Sequence, residues 1–239
     1  MRLFGRKPEP EAPATIEGLP LKIVTSARAR RVSLRVCAGT RTLKLTVPKG
    51  VSRARALDFV EQHRGWIAAQ AARRVPDAVP FRPGAVLPLG DGELRLERGS
   101  GRIARREGDI LRVPGEGTLF AGRVQRWLAA EAKRVLETET RALAVRTGKP
   151  VREVRVGDFR SRWGSCAPDG RIAYSWRLLL APAHVRHSVV AHEVAHLLEQ
   201  NHGPGFWRLA TELLGHSHRD ARGWLKANGP ALHSYGVEG

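Results

Sequence analysis

His192-Glu193-Val194-Ala195-His196, continued through Leu197-Leu198-Glu199-Gln200-Asn201 to His202, is the stretch on which the reading of this 239-residue chain turns. Histidines four apart share one face of an α-helix, one turn from each other, so their imidazoles can converge on a single divalent ion. Zn²⁺ suits neutral nitrogen ligands in a tetrahedral site. Glu193, next to the first histidine, can reach a water activated by that ion and take its proton. A third histidine completes a set that leaves one position open, the arrangement of a hydrolytic rather than a structural site.

The flanks support a helix here. Pro182 suits a first turn, and Val185, Val189, Val190, Val194, Leu197 and Leu198 supply apolar positions. Asn201-His202-Gly203-Pro204 then breaks the helix and lets the chain turn back. Eight of the 9 histidines lie between positions 184 and 233, so the chemistry gathers in the last quarter. For the third ligand His202 competes with Glu212, which sits on an expected following helix over about 204–214 and whose ordinary role is that of a solvated carboxylate.

Working outward, the 161–180 region reads as a hairpin leading into the metal helix, with a turn at Pro168-Asp169-Gly170 and a strand over 172–180. That strand could hold an extended peptide along its edge. Upstream, 118–145 has a helical stripe of Phe120, Val124, Trp127, Leu128, Val135, Leu136 and Leu143. Two hairpin-like stretches, 85–96 and 103–113, precede it. Earlier still, 21–24, 32–36 and 43–47 alternate as strands, the last two paired antiparallel across Ala38-Gly39-Thr40. Ser52 caps an expected helix running to about Arg74. Ser217 and Asp220 resemble a capping box for a last helix that buries Trp224 and Leu225 and stops near Gly229. No internal repeat is evident. The boundaries expected are a disordered lead-in over 1–18, a β-rich subdomain over 19–117 and a second subdomain over 118–239.

Composition adds a net charge of +18, carried by 34 Arg and 7 Lys against 23 acidic residues. Such a surplus favours polyanions such as nucleic acid, nucleotides or anionic lipid, or simply spreads as solvated surface arginine. Cys37 and Cys166 give no disulfide framework, and no apolar run approaches a membrane span. Cytoplasmic placement is the expectation.

The run Arg162-Trp163-Gly164-Ser165-Cys166, then Trp176-Arg177-Leu178, the two-histidine helix, and Asn201-His202-Gly203-Pro204-Gly205-Phe206-Trp207 resemble the YgjP-like metallopeptidase family. The layout is similar to that of SprT-like and WLM zinc proteases, and the resemblance covers most of 20–228. It implies metal ligands at His192, His196 and His202, with Glu193 as general base. It also implies an α+β fold: an N-terminal antiparallel β-rich subdomain with one helix, then a zincin-like subdomain with a hairpin and a metal-binding helix. A metzincin assignment fails, because Glu199 stands where that pattern has Gly and the only methionine is Met1. Where such proteins usually show Asn before the metal helix, this chain has Ser175, which keeps a small hydrogen-bonding group.

The leading expectation is a zinc-dependent peptidase acting on a peptide or protein substrate. By similarity to SprT-like and WLM proteases, it could be recruited to nucleic acid through its basic surface. Two alternatives stand beside it: a metal-dependent nucleotide phosphoanhydride hydrolase, and a non-catalytic nucleic-acid-binding module with a structural zinc. Tyr174, His184, His187, His216 and His218 are candidate donors to an oxyanion.

Overall fold

Period-two alternation builds the first sheet in the computed structural model, which describes residues 15–37, 41–72 and 77–237. Its strands are β1 (Thr15–Ile16), β2 (Leu19–Ser26), β3 (Ser33–Cys37) and β4 (Thr42–Pro48), in the order β1-β2-β4-β3. Leu43, Leu45 and Val47 of β4 point to one face, where they are buried with Ala56 and Val60 of α1 (Arg53–Gln62) and Ile67 of α2 (Arg64–Ala71). β3 and β4 pair antiparallel with Ser33 opposite Thr46, as expected; β2 runs parallel to β4. Ser52 accepts a hydrogen bond from the Arg55 amide at 3.3 Å and caps α1. The single long helix expected here is broken at His63. Its far end at Arg74, the turn Ala38-Gly39-Thr40 and positions 1–14 of the lead-in lie outside the described residues. Residues 15–18 of that lead-in are strand β1 and a two-residue turn, Glu17-Gly18, with both φ angles positive.

A second sheet repeats this plan. β5 (Val86–Leu89), β6 (Gly92–Arg98), β7 (Arg105–Glu107) and β8 (Ile110–Val113) stand in the order β5-β6-β8-β7, again with the second and fourth strands parallel. Gly90 and Gly108, at φ 63°, open the tight turns of its two hairpins. Each sheet is followed by helix, and the helices share a pattern: Trp66-Ile67-Ala68-Ala69-Gln70-Ala71 against Trp127-Leu128-Ala129-Ala130-Glu131-Ala132. The buried positions Ala56, Val60 and Ile67 answer to Phe120, Val124 and Leu128, with three extra residues in the first set around the break at His63. The reading that found no repeat is therefore corrected. A four-strand-then-helix unit occurs twice, hidden because its strands share alternation rather than identity.

The chain divides into two compact units, Met1–Val75 and Pro76–Gly239, rather than near 117. The reason is the long helix α3 (Gly117–Val145). Its first turns bury Phe120, Val124 and Leu128 in one core with Leu87, Leu94, Leu96, Leu111 and Val113 of the second sheet. Its later turns bury Ala132, Leu136 and Leu143 in the same core as the residues that carry the metal helix.

Beyond α3 come β9 (Glu153–Gly157), β10 (Gly164–Cys166) and β11 (Arg171–Ser175), in the order β10-β11-β9. The expected strand over 172–180 ends at Ser175, and Trp176–Leu180 forms a 3-10 turn whose five residues are all buried. β11 is flanked on both sides, so it has no free edge for a peptide; β10 has one. Then follow α4 (Ala183–Ala195), α5 (Pro204–Leu214) and α6 (Arg219–Leu232). α6 runs past Gly229, through Pro230, and Trp224 and Leu225 are only partly buried. In place of a full capping box, the Ser217 hydroxyl accepts a hydrogen bond from the Arg219 amide at 3.2 Å. Together these elements make a mixed α+β protein with antiparallel-rich sheets and six α-helices among the described residues.

Candidate metal centre

His192 lies in the last turn of α4 and His196 just past it, one turn apart on the same face. The chain then reverses, and the Gly203 amide donates to the Asn201 carbonyl at 2.7 Å. This reversal brings His202 back over α4. One ring nitrogen from each of His192, His196 and His202 lies within 4.8 Å of the other two, and the Nε2 atoms of His192 and His202 face each other at 3.0 Å. Nitrogens bound to one tetrahedral Zn²⁺ at ordinary lengths stand about 3.3 Å apart, so this donor set fits such an ion. The cluster could hold a divalent metal. His196 Nδ1 donates to the Glu199 carbonyl at 2.9 Å, which leaves Nε2 free for a cation. Glu212 is exposed on α5 and stands outside the cluster.

Phe206, fully buried on α5, fixes the three imidazoles. Its ring lies 4.8, 4.5 and 4.6 Å from those of His192, His196 and His202. Trp207, next along, covers His192 and His202 at 5.8 and 6.0 Å. That is the physical content of the His-Gly-Pro-Gly-Phe-Trp run: the turn delivers a histidine, and the helix it starts delivers the aromatic wall. Burial, with the neighbouring imidazoles, pushes His192 down to about 3, so it is neutral, the form in which a ring nitrogen keeps a lone pair for a metal. Burial likewise holds His196 below its ordinary value.

Glu193, next to His192 on α4, lines the same cleft and is 6% exposed. Burial lifts its carboxyl to about 7, against a partial pull from the Arg162 guanidinium. It lies against Gly164 of β10, where a Cβ would come within 2.5 Å of Oε1. The glycine of the Trp-Gly-Ser-Cys run thus makes room for a carboxylate 29 positions later. Trp163 stacks on His233 at 5.1 Å and, with Gly164, Val189, Trp207 and Leu225, walls a cleft of about 350 Å³ beside His192, His202 and Glu193. Arg222, held over Trp207 at 5.2 Å, is the only lysine or arginine lining it among the described residues.

Of the five candidate oxyanion donors, only His218 lines the cleft, with Nδ1 hydrogen-bonded to Ser188 Oγ at 2.7 Å. Tyr174 is buried and shares a 3.0 Å hydrogen bond with Thr140. His184 and His216 are exposed, and His187 stands 3.8 Å from Glu139. Cys166 is half-buried, and burial with the nearby Glu193 pushes its thiol up to about 11, which keeps it protonated. Ser175 Oγ is buried and has no hydrogen-bond partner among the described residues.

Sequence reasoning gave Arg177 no role of its own. Its guanidinium is buried, held by Asp158 at 2.8 and 3.3 Å, and it donates to the Leu232 and Tyr235 carbonyls at 2.7 and 2.8 Å. It ties the 3-10 turn before α4 to the end of α6. Only the adjacency of a tryptophan and an arginine before the metal helix hinted at this.

No curated protein and no solved structure matches the chain. A family model described as YgjP-like, metallopeptidase domain, matches residues 30–228.

Proposed function

This chain belongs to the YgjP-like metallopeptidase family, and on that premise we propose that it hydrolyses peptide bonds at a zinc ion held by His192, His196 and His202, with Glu193 as general base. The observation that carries the proposal is the convergence of three imidazole nitrogens beside one buried carboxyl. A bound divalent ion would polarise the scissile carbonyl and lower the pKa of an attacking water.

The chain's own residues then divide the work. Glu193 takes the proton of the attacking water and passes it to the leaving amine, a task for which a carboxyl poised near neutrality is well matched. Phe206 and Trp207 hold the imidazoles in place and keep water from their outer faces. β10 offers its free edge beside Gly164, so an extended substrate laid along it would bring its backbone to Glu193. A cleft whose described lining has one arginine and a carboxyl is a poor host for a triphosphate, which favours peptide over phosphoanhydride hydrolysis. A carboxyl buried beside the cluster has no duty in a purely structural zinc site.

The test compares wild type with Glu193→Gln on an unfolded protein substrate, with zinc content measured for both. Expected is one zinc per chain in each and loss of at least about 10³-fold in kcat/KM in the variant. Equal rates, or zinc absent from the wild type after purification without chelators, would sink the reading.

A further inference from the structure

β3 is an edge strand: one flank pairs with β4, and the other carries no ladder among the described residues. Ser33 and Leu34 of this strand, Phe59 of α1, His63 at the break and Trp66 of α2 wall a hollow of about 1230 Å³. The indole of Trp66 is 43% exposed, a large apolar surface left toward solvent. Arg30, Arg31, Lys49 and Arg55 also line the hollow, and none of the four has an ion-pair partner among the described residues. Asp58 is the single acid in the lining among the described residues.

The second repeat keeps the same arrangement in reduced form. A hollow of about 240 Å³ is lined by Arg102, Ile103 and Ala104, just before its edge strand β7, and by Arg123, Arg126 and Trp127 of α3. Trp127 answers to Trp66 in the shared helix pattern. A basic, aromatic hollow between edge strand and helix is therefore a property of the repeated plan, enlarged in the first copy, where the helix is broken at His63.

We propose that the first unit binds an extended acidic polypeptide segment, added as a fifth strand to the free flank of β3. Its carboxylates would meet Arg30, Arg31, Lys49 and Arg55, and its apolar side chains Leu34, Phe59 and Trp66. An open strand edge favours a polypeptide, because main-chain N–H and C=O groups match it and a nucleic acid has no such row. The charge selects acidic segments from other extended chains. For a metallopeptidase, this is a place to hold part of a protein substrate on a unit other than the one that carries the catalytic residues.

The experiment reads binding, so its outcome is separate from that of the cleavage assay. A fluorescein-labelled peptide of alternating Glu and Val, about eight residues long, is titrated with the full-length protein by anisotropy. Binding is expected to weaken with salt, and a peptide alternating Lys and Val is expected not to bind. N-methylation at alternate residues, which removes the donors along one flank, should weaken it at least about tenfold. Trp66→Ala should weaken it about tenfold while Trp66→Phe restores most of the affinity. Arg30→Glu with Arg31→Glu should abolish it, whereas Lys22→Glu with Arg95→Glu, the same charge change outside both hollows, should leave it. Unchanged affinity in the Arg30, Arg31 pair or with the N-methylated peptide would overturn the proposal. So would displacement of the peptide by a thymidine oligonucleotide of about 15 residues at a lower concentration than unlabelled peptide requires.

Discussion

Gly164 is the position where a single hydrogen atom decides geometry at the centre. A methyl group there would meet Glu193 at Oε1, Cγ and Cδ, all within 2.8 Å, so the whole side chain must move rather than its tip. Gly164→Ala is expected to lower kcat/KM about 100-fold, since a displacement near 1 Å at a reacting group costs that much. Zinc content should stay at the wild-type level, because the three atoms nearest the new methyl all belong to Glu193 and none to a histidine. Activity within twofold of wild type would show that Glu193 does not work from where it stands. His192, Glu193 and His196 were legible in the sequence because helical spacing puts them on one turn of α4, whereas His202 lies past the helix end and was legible only through the break signals and the resemblance. Gly164 was legible only as part of a resemblance, since its partner lies on another element. At Ser175 the sequence showed only that a hydroxyl stands there; whether anything answers it depends on packing, and among the described residues nothing does.

Among the elements, the 3-10 turn Trp176–Leu180 bears the metal helix on one side and is clamped by Arg177 to the end of α6. Burial raises the Asp158 carboxyl, but hydrogen bonds and charge from Arg177, aided by Arg160 and His233, bring it below its ordinary value. A depressed carboxyl contributes stability that is present above its unfolded pKa, about 4, and is lost as the pH falls through the folded value. Wild-type stability to urea should therefore drop as the pH is lowered below about 4, and Asp158→Asn should lack that component. At pH 7 the same variant should lose roughly 2–3 kcal/mol, less than for a fully buried pair because Asp158 is partly exposed. A loss under about 0.5 kcal/mol would mean that the backbone carbonyls alone satisfy Arg177. The strand expected over 172–180 failed here for a physical reason. Trp-Arg-Leu-Leu-Leu reads as a buried strand by composition, and nothing local distinguishes that from a buried turn of helix.

For the molecule as a whole, the placing of the boundary is a statement about which surfaces share a core. A fragment of residues 77–239 keeps Leu87, Leu94, Leu96, Leu111 and Val113 against α3, and is expected to fold and bind zinc as the full chain does. A fragment of 118–239 would strip that cover from Phe120, Val124 and Leu128, and is expected to aggregate. Circular dichroism and zinc content of the two fragments decide the matter, and a folded shorter fragment would restore the boundary near 117. Composition could not place it, because the Gly115-Glu116-Gly117 break is a turn between elements of one core. The repeat escaped the reading for a related reason: tolerance at alternating positions erased all but the helix pattern.

The free flanks of β3 and β7 carry one more consequence. Each is an open row of backbone donors and acceptors, the kind of seam along which separate molecules zip into clumps. Arg30, Arg31 and Arg35 beside one, and Arg105 and Arg106 on the other, belong to the surplus that makes every molecule repel its neighbour. Colloidal dispersal of this protein is therefore lent by its arginines, and brine near 1 M, where the screening length shrinks to about 3 Å, withdraws it.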